Sequence, residues 1–177
     1  RYETLVAQAW PRIEARIARN AELIDWVLKG QLDLSLAWDG GLSTPFHQAL
    51  GQRQLHWIAS PGFALAPWRE GDEPLPLVMF DAPCLMRSAA TQALDRAGIP
   101  WRIAFTSRSL NGVWAAVSAG LGVTVRTAAG LPPGLSPLAP DLLPALGQLG
   151  VVLHRAEDQP SAAVQRLAQI VVERIET

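Results

Sequence analysis

The spacing of apolar residues predicts a regular order of helices and strands along this chain. Apolar side chains first recur at helical spacing and then alternate with polar ones, which predicts a helix over 21–29 and a strand over 33–38. Gly30 stands between the two elements, where a glycine with positive φ commonly ends a helix. Asn20 directly precedes the helix and is predicted to cap it, because an asparagine side chain accepts a hydrogen bond from a free amide of the first turn.

The same two patterns predict the remaining elements. Alternating or fully apolar runs predict strands over 13–17, 54–59, 77–80, 101–105, 122–125 and 149–153. After a helical start over 1–9, helical spacing predicts helices over 85–97, from Ser109 to Gly120 and over 164–175. Residues rich in Gly, Pro, Ser or charge predict irregular connections over 39–53, 61–73 and 130–147.

Helices and strands that alternate in this order indicate an α/β protein with a mostly parallel sheet and helices on its faces. Two apolar segments, 54–60 and 149–153, bracket the middle of the chain. We therefore expect two Rossmann-like lobes, joined by a hinge of two crossing segments and separated by a cleft. Residues 1–58 together with 148–177 form the first predicted lobe, and residues 59–147 form the second.

The composition favours a folded domain without a DNA-binding surface of its own. Of the 177 residues, 49% are hydrophobic and 18% are charged, which is enough apolar material for a sizeable core. The formal net charge of −1 argues against electrostatic binding of DNA by this chain. The single cysteine, Cys84, excludes an internal disulfide. No apolar run has the length of a membrane span and no signal-peptide pattern begins the chain, so we expect a cytoplasmic location without a membrane partner.

The sequence has no catalytic or metal-binding motif. The nucleophile motif G-x-S-x-G is missing, and the three histidines lie far apart in sequence, without metal-ligand spacing. The one G-x-G, Gly120 to Gly122, follows a helix and precedes a strand, which reverses the order of a dinucleotide-binding turn. We interpret Gly120 as a helix end and Gly122 as a point of close packing. The sequence therefore predicts no catalytic residue, no metal ion and no cofactor.

Polar residues follow several predicted strands and precede helices, where free backbone amides and the positive end of a helix dipole favour anions and carbonyl oxygens. Arg126 lies just past a strand and can make bidentate contacts to a carboxylate. Ordinary structural roles are also open, because Asn20 can cap a helix, Arg126 can be solvated and Cys84 can be a buried thiol. As a converging set, the residues suit a small carboxylate, an aromatic compound or a thiol compound equally well. The candidate ligand-binding residues are Asn20, Trp38, Asp39, Pro83, Cys84, Leu85, Thr106, Ser107 and Arg126.

Several segments together resemble the effector-binding domain of LysR-type transcriptional regulators. The pattern from Glu22 to Trp38, with its helix, glycine and alternating strand, is similar to a part of that domain. In the family, an apolar helix, the sequence Ala-Gly-Leu-Gly and a strand recur in this order, as they do here from Leu110 to Thr127. The further segments that resemble the family are 76–81, 93–98, 101–107 and 149–154 with the helix that follows.

This resemblance implies a type 2 periplasmic-binding-protein-like fold whose first strand is missing before Arg1. It implies a bacterial transcription regulator that binds a small-molecule effector between its lobes and forms a homodimer or tetramer. DNA would be contacted only through a winged helix-turn-helix domain N-terminal to this chain. The sole cysteine argues against the two-cysteine redox branch of the family. By position, the family's ligand-contacting turns fall on Asn20, on Trp38 and Asp39, on Pro83, Cys84 and Leu85, and on Thr106 and Ser107.

Two other functions remain open for this architecture. A solute-binding protein of a transporter shares the two lobes, and the upstream sequence, a helix-turn-helix or a signal peptide, separates the two functions. An enzyme on the same fold, such as a deaminase-like lyase acting on a small acid, would need a paired acid and base, which the sequence lacks. We therefore expect a ligand-sensing domain without catalysis, in which the effector shifts the population of lobe and dimer arrangements.

Overall fold

A computed structural model describes residues 13–69 and 73–176 of the chain. The chain divides into two compact units, a first unit of Arg1–Ala49 and Val152–Thr177 and a second unit of Leu50–Val151. The predicted helical start over 1–9 lies outside the described residues. In chain order, the elements are α1 (Asn20–Leu28), β1 (Leu34–Trp38), β2 (Phe46–Gln54), β3 (His56–Ala59), α2 (Ala66–Arg69), β4 (Leu75–Phe80), α3 (Leu85–Arg96), β5 (Trp101–Ser107), α4 (Leu110–Ser118), β6 (Thr124–Arg126), β7 (Ser136–Pro137), β8 (Gln148–Arg155) and α5 (Ala162–Glu176).

In the first unit, α1 contacts β1, and β1 belongs to a sheet with the strand order β1-β8-β2. The helix buries Ile24 and Val27, which lie on the apolar side that its spacing predicts. The Glu22 carboxylate accepts a hydrogen bond from the Arg19 backbone amide at 3.1 Å, which stabilises the start of the helix. Gly30 has a φ of 65° directly after the helix end, as predicted.

In the second unit, β4 and β5 form a parallel pair, and Leu77 of β4 also bridges in parallel to Val123. In contrast, β3 has antiparallel neighbours on both sides, β6 and β7. The α/β class is confirmed, and the expected parallel arrangement holds around β4 but not around β3. The difference arises because alternation of apolar and polar residues reports which face of a strand is buried and not the direction in which the strand runs.

The core of the second unit includes the contacts of α4 with β3 and β4. The apolar face predicted for α4 supplies Val113, Trp114 and Val117 to this core. Burial of these side chains fixes the helix against the sheet and so holds the start of α4 near the carboxyl ends of β4 and β5. The buried core residues are Ile58, Val78, Val113, Trp114, Ala116, Val117 and Leu135.

Four segments differ from the sequence prediction. β2 lies where an irregular connection is predicted, since most of its residues are exposed and polar and no apolar alternation marks it. Residues 13–17 form no strand and Ile17 is fully exposed, because no strand of the described chain pairs with them. α2 and β7 fall inside the other predicted connections, and each is too short to show a period in the sequence.

Candidate functional site

The predicted ligand-binding residues of the second unit lie at the carboxyl ends of two parallel strands. Phe80 and Ser107, the last residues of β4 and β5, are register partners, so the two strands end side by side. α3 and α4 begin a few residues after these ends. The structure therefore brings five predicted residues to one edge of this sheet, namely Pro83, Cys84, Leu85, Thr106 and Ser107.

Arg126, the last residue of β6, reaches the same edge. Its Cζ lies 4.2 Å from the centre of the Phe80 ring, and its Nη1 donates a hydrogen bond to Met86 Sδ at 3.0 Å. The guanidinium also interacts with the Cys84 side chain. Arg126 thus contacts both the end of β4 and the first turn of α3, although it is 40 residues from Met86 in sequence.

Arg126 is half-buried and forms no ion pair with a carboxylate among the described residues. Burial lowers the pKa of Arg126, and its charge interaction and hydrogen bond with Cys84 raise the pKa in part. Among the described residues, its Nε is buried without a hydrogen-bond partner. Because arginine stays protonated in proteins, the site holds a positive charge whose described neighbours are an aromatic ring and two sulfur atoms.

The start of α3 adds to the positive potential at this edge. Cys84 occupies the N-cap position with φ −148° and ψ 123°, and its side chain makes no capping hydrogen bond. The first turn of α3 also contains no acidic residue. Its backbone amides and the helix dipole therefore place partial positive charge beside Arg126. Such an arrangement favours an anion or a carbonyl oxygen.

Thr106 and Ser107 differ in what their hydroxyl groups can do. The Ser107 hydroxyl accepts a hydrogen bond from the Ser109 amide and donates one to the Ser109 carbonyl, both at 3.0 Å. Ser109 is the N-cap residue of α4, and its own hydroxyl makes no capping hydrogen bond. An added Cβ at Gly112 would lie 2.5 Å from Ser107 Oγ. Thr106 is exposed, so its hydroxyl is the more accessible of the two.

In the first unit, Asn20 binds the backbone at the end of β1. Its Nδ2 donates a hydrogen bond to the Trp38 carbonyl at 2.5 Å, and its Oδ1 accepts one from the Trp38 amide at 3.1 Å. The predicted capping role of Asn20 is wrong, because Arg19 occupies the N-cap position and β1 engages the Asn20 side chain. Asp39 Oδ1 accepts a hydrogen bond from the Gly41 amide at 3.3 Å. Asn20 therefore positions Trp38, and Asp39 shapes the loop after it.

Two histidines that are far apart in sequence are neighbours in the first unit. The ring centres of His47 and His154 are 6.0 Å apart, and His154 Nδ1 lies 3.1 Å from Thr44 Oγ1. The Thr44 hydroxyl donates to the Phe46 carbonyl at 3.0 Å, so His154 Nδ1 is the donor toward Thr44. Burial lowers the pKa of His154, the charge of His47 lowers it further, and Asp39 opposes both effects. His154 is thus a neutral buried side chain with a satisfied ring nitrogen.

The first unit also has an open groove of about 420 Å³ beside α5, and no predicted site residue lines it. Its lining residues are Gln48, Arg155, Pro160, Gln165, Ala168, Gln169, Val172 and Glu173. Within the described residues, no group of three or more His, Cys, Asp or Glu side chains could hold a metal ion. No helix in the same part of the chain has the length and apolar character needed to span a bilayer.

Comparison with known families and curated proteins gives consistent matches. The family described as "LysR substrate binding domain" matches residues 5–176. The chain is 34% identical over 132 residues to the HTH-type transcriptional regulator PecT of Dickeya dadantii (strain 3937), which covers 73% of this chain and 40% of PecT. It is 35% identical over 119 residues to the HTH-type transcriptional regulator DgdR of Burkholderia cepacia, which covers 67% of this chain and 39% of DgdR. The chain therefore spans less than half the length of these relatives.

Solved structures resemble this chain in fold. The bromide-bound regulatory domain of HypT from Salmonella typhimurium superposes with a TM-score of 0.75 and 16% identity, covering 99% of this chain and 88% of that chain. The C-terminal domain of a probable LysR family transcriptional regulator from Rhodococcus sp. RHA1 superposes with a TM-score of 0.69 and 23% identity, covering 96% of this chain and 89% of that chain. DarR of Vibrio fischeri, solved in complex with DNA, superposes with a TM-score of 0.70 and 14% identity, covering 92% of this chain and 57% of that chain. At these identities the likeness concerns the fold, which is of the two-lobed, type 2 periplasmic-binding-protein-like kind.

Proposed function

Because this chain belongs to the LysR substrate-binding domain family and is the ligand-sensing regulatory domain of a LysR-type transcriptional regulator, we propose that its second unit recognises the effector at the carboxyl edge of β4 and β5. The observation that carries this proposal is the Arg126 guanidinium, which lies beside the uncapped start of α3 without a carboxylate partner in the described chain. A charged group placed in this way has donor capacity that a ligand can use.

The proposed effector site of the second unit combines three kinds of group. The first-turn amides of α3 and the charge of Arg126 bind acceptor atoms, and the exposed Thr106 hydroxyl adds a donor and acceptor. Pro83, Cys84 and Leu85 form the turn that precedes α3 and supply apolar contact. Ser107 positions the turn before α4 through its two hydrogen bonds to Ser109.

In the first unit, we propose that Trp38 and Asp39 form a ligand-contacting loop and that Asn20 acts through them. Trp38 is half-buried at the end of β1, where the ends of strands in open α/β sheets present ligand-binding loops. The Asn20 side chain hydrogen bonds to both the amide and the carbonyl of Trp38, so it fixes the backbone from which the indole side chain extends. This assigns Asn20 the role of a positioning residue and not of a direct ligand.

The proposed function involves binding without chemical conversion of the effector. The curated relatives are transcriptional regulators, and none of the described residues forms a paired acid and base at the site. The alternative of a transporter's solute-binding protein is not favoured, because the relatives above 30% identity are HTH-type regulators. We propose that the effector shifts an equilibrium between arrangements of the regulator and so changes its action at a promoter.

Regulators of this family bind effectors and DNA and act as oligomers. For this chain we propose a homodimer or tetramer that contacts DNA through a winged helix-turn-helix domain outside these 177 residues, in the cytoplasm. The net charge of −1 supports the assignment of DNA contacts to another part of the regulator, since DNA-binding surfaces are strongly basic.

A thermal-shift screen of the chain against a metabolite library tests this function. A ligand that binds only the folded state raises Tm, by an amount that grows with ligand concentration. For a compound that raises Tm, Thr106→Val should weaken its apparent affinity by about tenfold, since one hydrogen bond to the ligand is lost, whereas Thr106→Ser should retain it. Equal affinities for the wild type and Thr106→Val would remove Thr106 from the site. Absence of any stabilising compound, or turnover of a substrate by the pure chain, would contradict the function.

A further inference from the structure

The donor groups of Arg126 are poorly matched by the side chains around them. A guanidinium carries five N–H donors, and within the described chain Arg126 offers one to Met86 Sδ and interacts with the Cys84 side chain. Sulfur is a weak acceptor, and the Phe80 ring contacts the charge only through its π face. Nε has no hydrogen-bond partner among the described residues although it is buried. The strongest natural partner of such a group, a carboxylate, is missing from its described surroundings.

We propose that the effector of this domain is a small organic acid whose carboxylate pairs with Arg126, an inference that rests on the ligand-sensing function proposed above. A half-buried guanidinium whose described neighbours are mainly weak hydrogen-bond acceptors is poorly compensated, whereas an apolar side chain of the same size would pack here without that penalty. A fold that keeps arginine at this position is therefore best explained by an opposite charge that arrives with the ligand. Burial strengthens that pairing, because it removes the competing water.

The neighbouring groups favour a carboxylate over a phosphate. Phe80, Met86 and Cys84 present a ring and two sulfur atoms around the charge, and these groups donate few strong hydrogen bonds. A phosphate carries close to two negative charges, so Arg126 and the partial charge at the start of α3 offset a smaller share of its charge than of a carboxylate's. A carboxylate carries one charge and matches one guanidinium, while the apolar neighbours suit the hydrocarbon body of an organic acid.

Three charged side chains stand next to this edge of the second unit, namely Arg87, Asp81 and Arg108. Arg87 adds positive charge, and its Nη1 donates to the Phe80 carbonyl at 3.4 Å. Asp81 lies 3.9 Å from Arg108 and forms its described ion pair there. The start of α3 adds partial positive charge and has no acidic residue in its first turn. A single incoming carboxylate would therefore meet both the Arg126 charge and the helix dipole.

The test compares acids with their uncharged amides in thermal-shift titrations of this chain. Acetate, benzoate and phenylacetate serve as the acids, acetamide, benzamide and phenylacetamide as the amides, and phenyl phosphate as the other anion. We expect at least one acid to raise Tm of the wild type with an apparent affinity about tenfold or more above that of its amide. Arg126→Met should lose this preference, while Arg102→Met, at an exposed arginine of the same unit, should retain it.

The melting temperatures of the variants without ligand distinguish loss of the Arg126 charge from loss of folding. Without ligand, Arg126→Met should melt at or above the wild-type temperature, because a desolvated charge is removed and methionine fills similar space. If Arg126→Met does not fold, Arg126→Lys keeps the charge without the planar fork, and it should bind the acid about tenfold more weakly than the wild type.

Several outcomes would overturn the carboxylate assignment. These are equal stabilisation by each acid and its amide, stabilisation by phenyl phosphate alone, no stabilisation by any of the three acids, or an acid response that persists at full strength in Arg126→Met. The metabolite screen distinguishes this failure from a failure of the sensing function. If an uncharged metabolite raises Tm, the domain remains a sensor and the carboxylate assignment is wrong; if no compound does, the sensing function fails as well.

Discussion

Arg126 and His154 show two ways in which this chain buries a polar side chain. His154 is 1% exposed, and its Nδ1 hydrogen bonds to Thr44, so its neutral form fits the first unit without a ligand. Arg126 keeps its charge and has only weak described partners in the second unit. At the scale of residues, a satisfied group of the first kind has a structural role, and a group of the second kind keeps hydrogen-bonding capacity that a ligand can use.

The stability of the chain should depend on pH through His154. Its pKa is below the ordinary value of 6.5, so between the two pKa values the unfolded chain binds a proton that the folded chain does not. The free energy of unfolding should therefore be highest above about pH 6.5 and should fall as the pH drops below that value. Urea unfolding between about pH 5 and pH 8 measures this dependence.

Substitutions at two histidines test whether His154 causes this pH dependence of stability. His154→Leu removes the titrating group and should flatten the slope below pH 6.5, even if it also changes the stability at neutral pH. His56→Gln, at a half-buried position of β3, should leave the slope as it is in the wild type. A slope that is unchanged in His154→Leu would show that another group carries the linkage.

At the scale of elements, apolar spacing predicts where most elements lie. The bounds of α1, α3, α4 and α5 agree with the prediction within a few positions, as do those of β1, β4, β5, β6 and β8. The buried face of β1 differs, because Ser35 and Ala37 are buried there while Leu36 is exposed. β2 is not predictable in this way, because its order depends on pairing with β8 and its exposed side chains carry no pattern. Gly122 is predicted as a point of close packing, and a Cβ added there would collide with the Pro76 carbonyl.

The contact between α4 and the turn before it predicts the effect of one helix substitution. Gly112→Ala should destabilise the chain by about 1–3 kcal/mol, although alanine is the better helix former, because its Cβ would lie 2.5 Å from Ser107 Oγ. Asn111→Ala, at the exposed neighbouring position, should change the stability by less than about 0.5 kcal/mol. Urea unfolding of both variants gives the comparison.

A double-mutant cycle identifies the cause of that destabilisation. Ser107→Ala removes the hydroxyl that meets the added Cβ, so the effect of Gly112→Ala should be smaller in a Ser107→Ala background. Two effects that add without coupling would mean that the clash lies elsewhere in the packing of α4.

At the scale of the whole molecule, the order of elements predicts the family and the class of fold, and the candidate site only in part. Chain order places Cys84 and Leu85 after β4 and Thr106 at the end of β5, and parallel pairing of β4 with β5 then brings them to one edge. The contacts of Arg126 with Phe80 and Met86 are not predictable from a single sequence, because they depend on how β6 packs against α3. The bonds from Asn20 to Trp38 depend in the same way on the packing of α1 against β1.

The last prediction concerns the oligomeric state of the isolated chain. We expect the isolated chain to form a dimer, because regulators of this family act as oligomers and the effector signal must reach more than one DNA-binding domain. Sedimentation equilibrium over a range of concentrations measures the mass directly. A mass of one chain, 19.1 kDa, at every concentration would contradict the proposed assembly.

The continuity of the second unit has a consequence for how such domains diversify. Leu50–Val151 is one unbroken stretch, whereas the first unit is made from two separate pieces of chain. Recombination of a single gene segment would therefore transplant Phe80, Cys84, Met86 and Arg126 together. The borders of such a cassette would fall in β2 and β8, which are neighbours in one sheet. A lineage could in this way exchange the chemical preference of a sensor in one step while inheriting the flanking pieces unchanged.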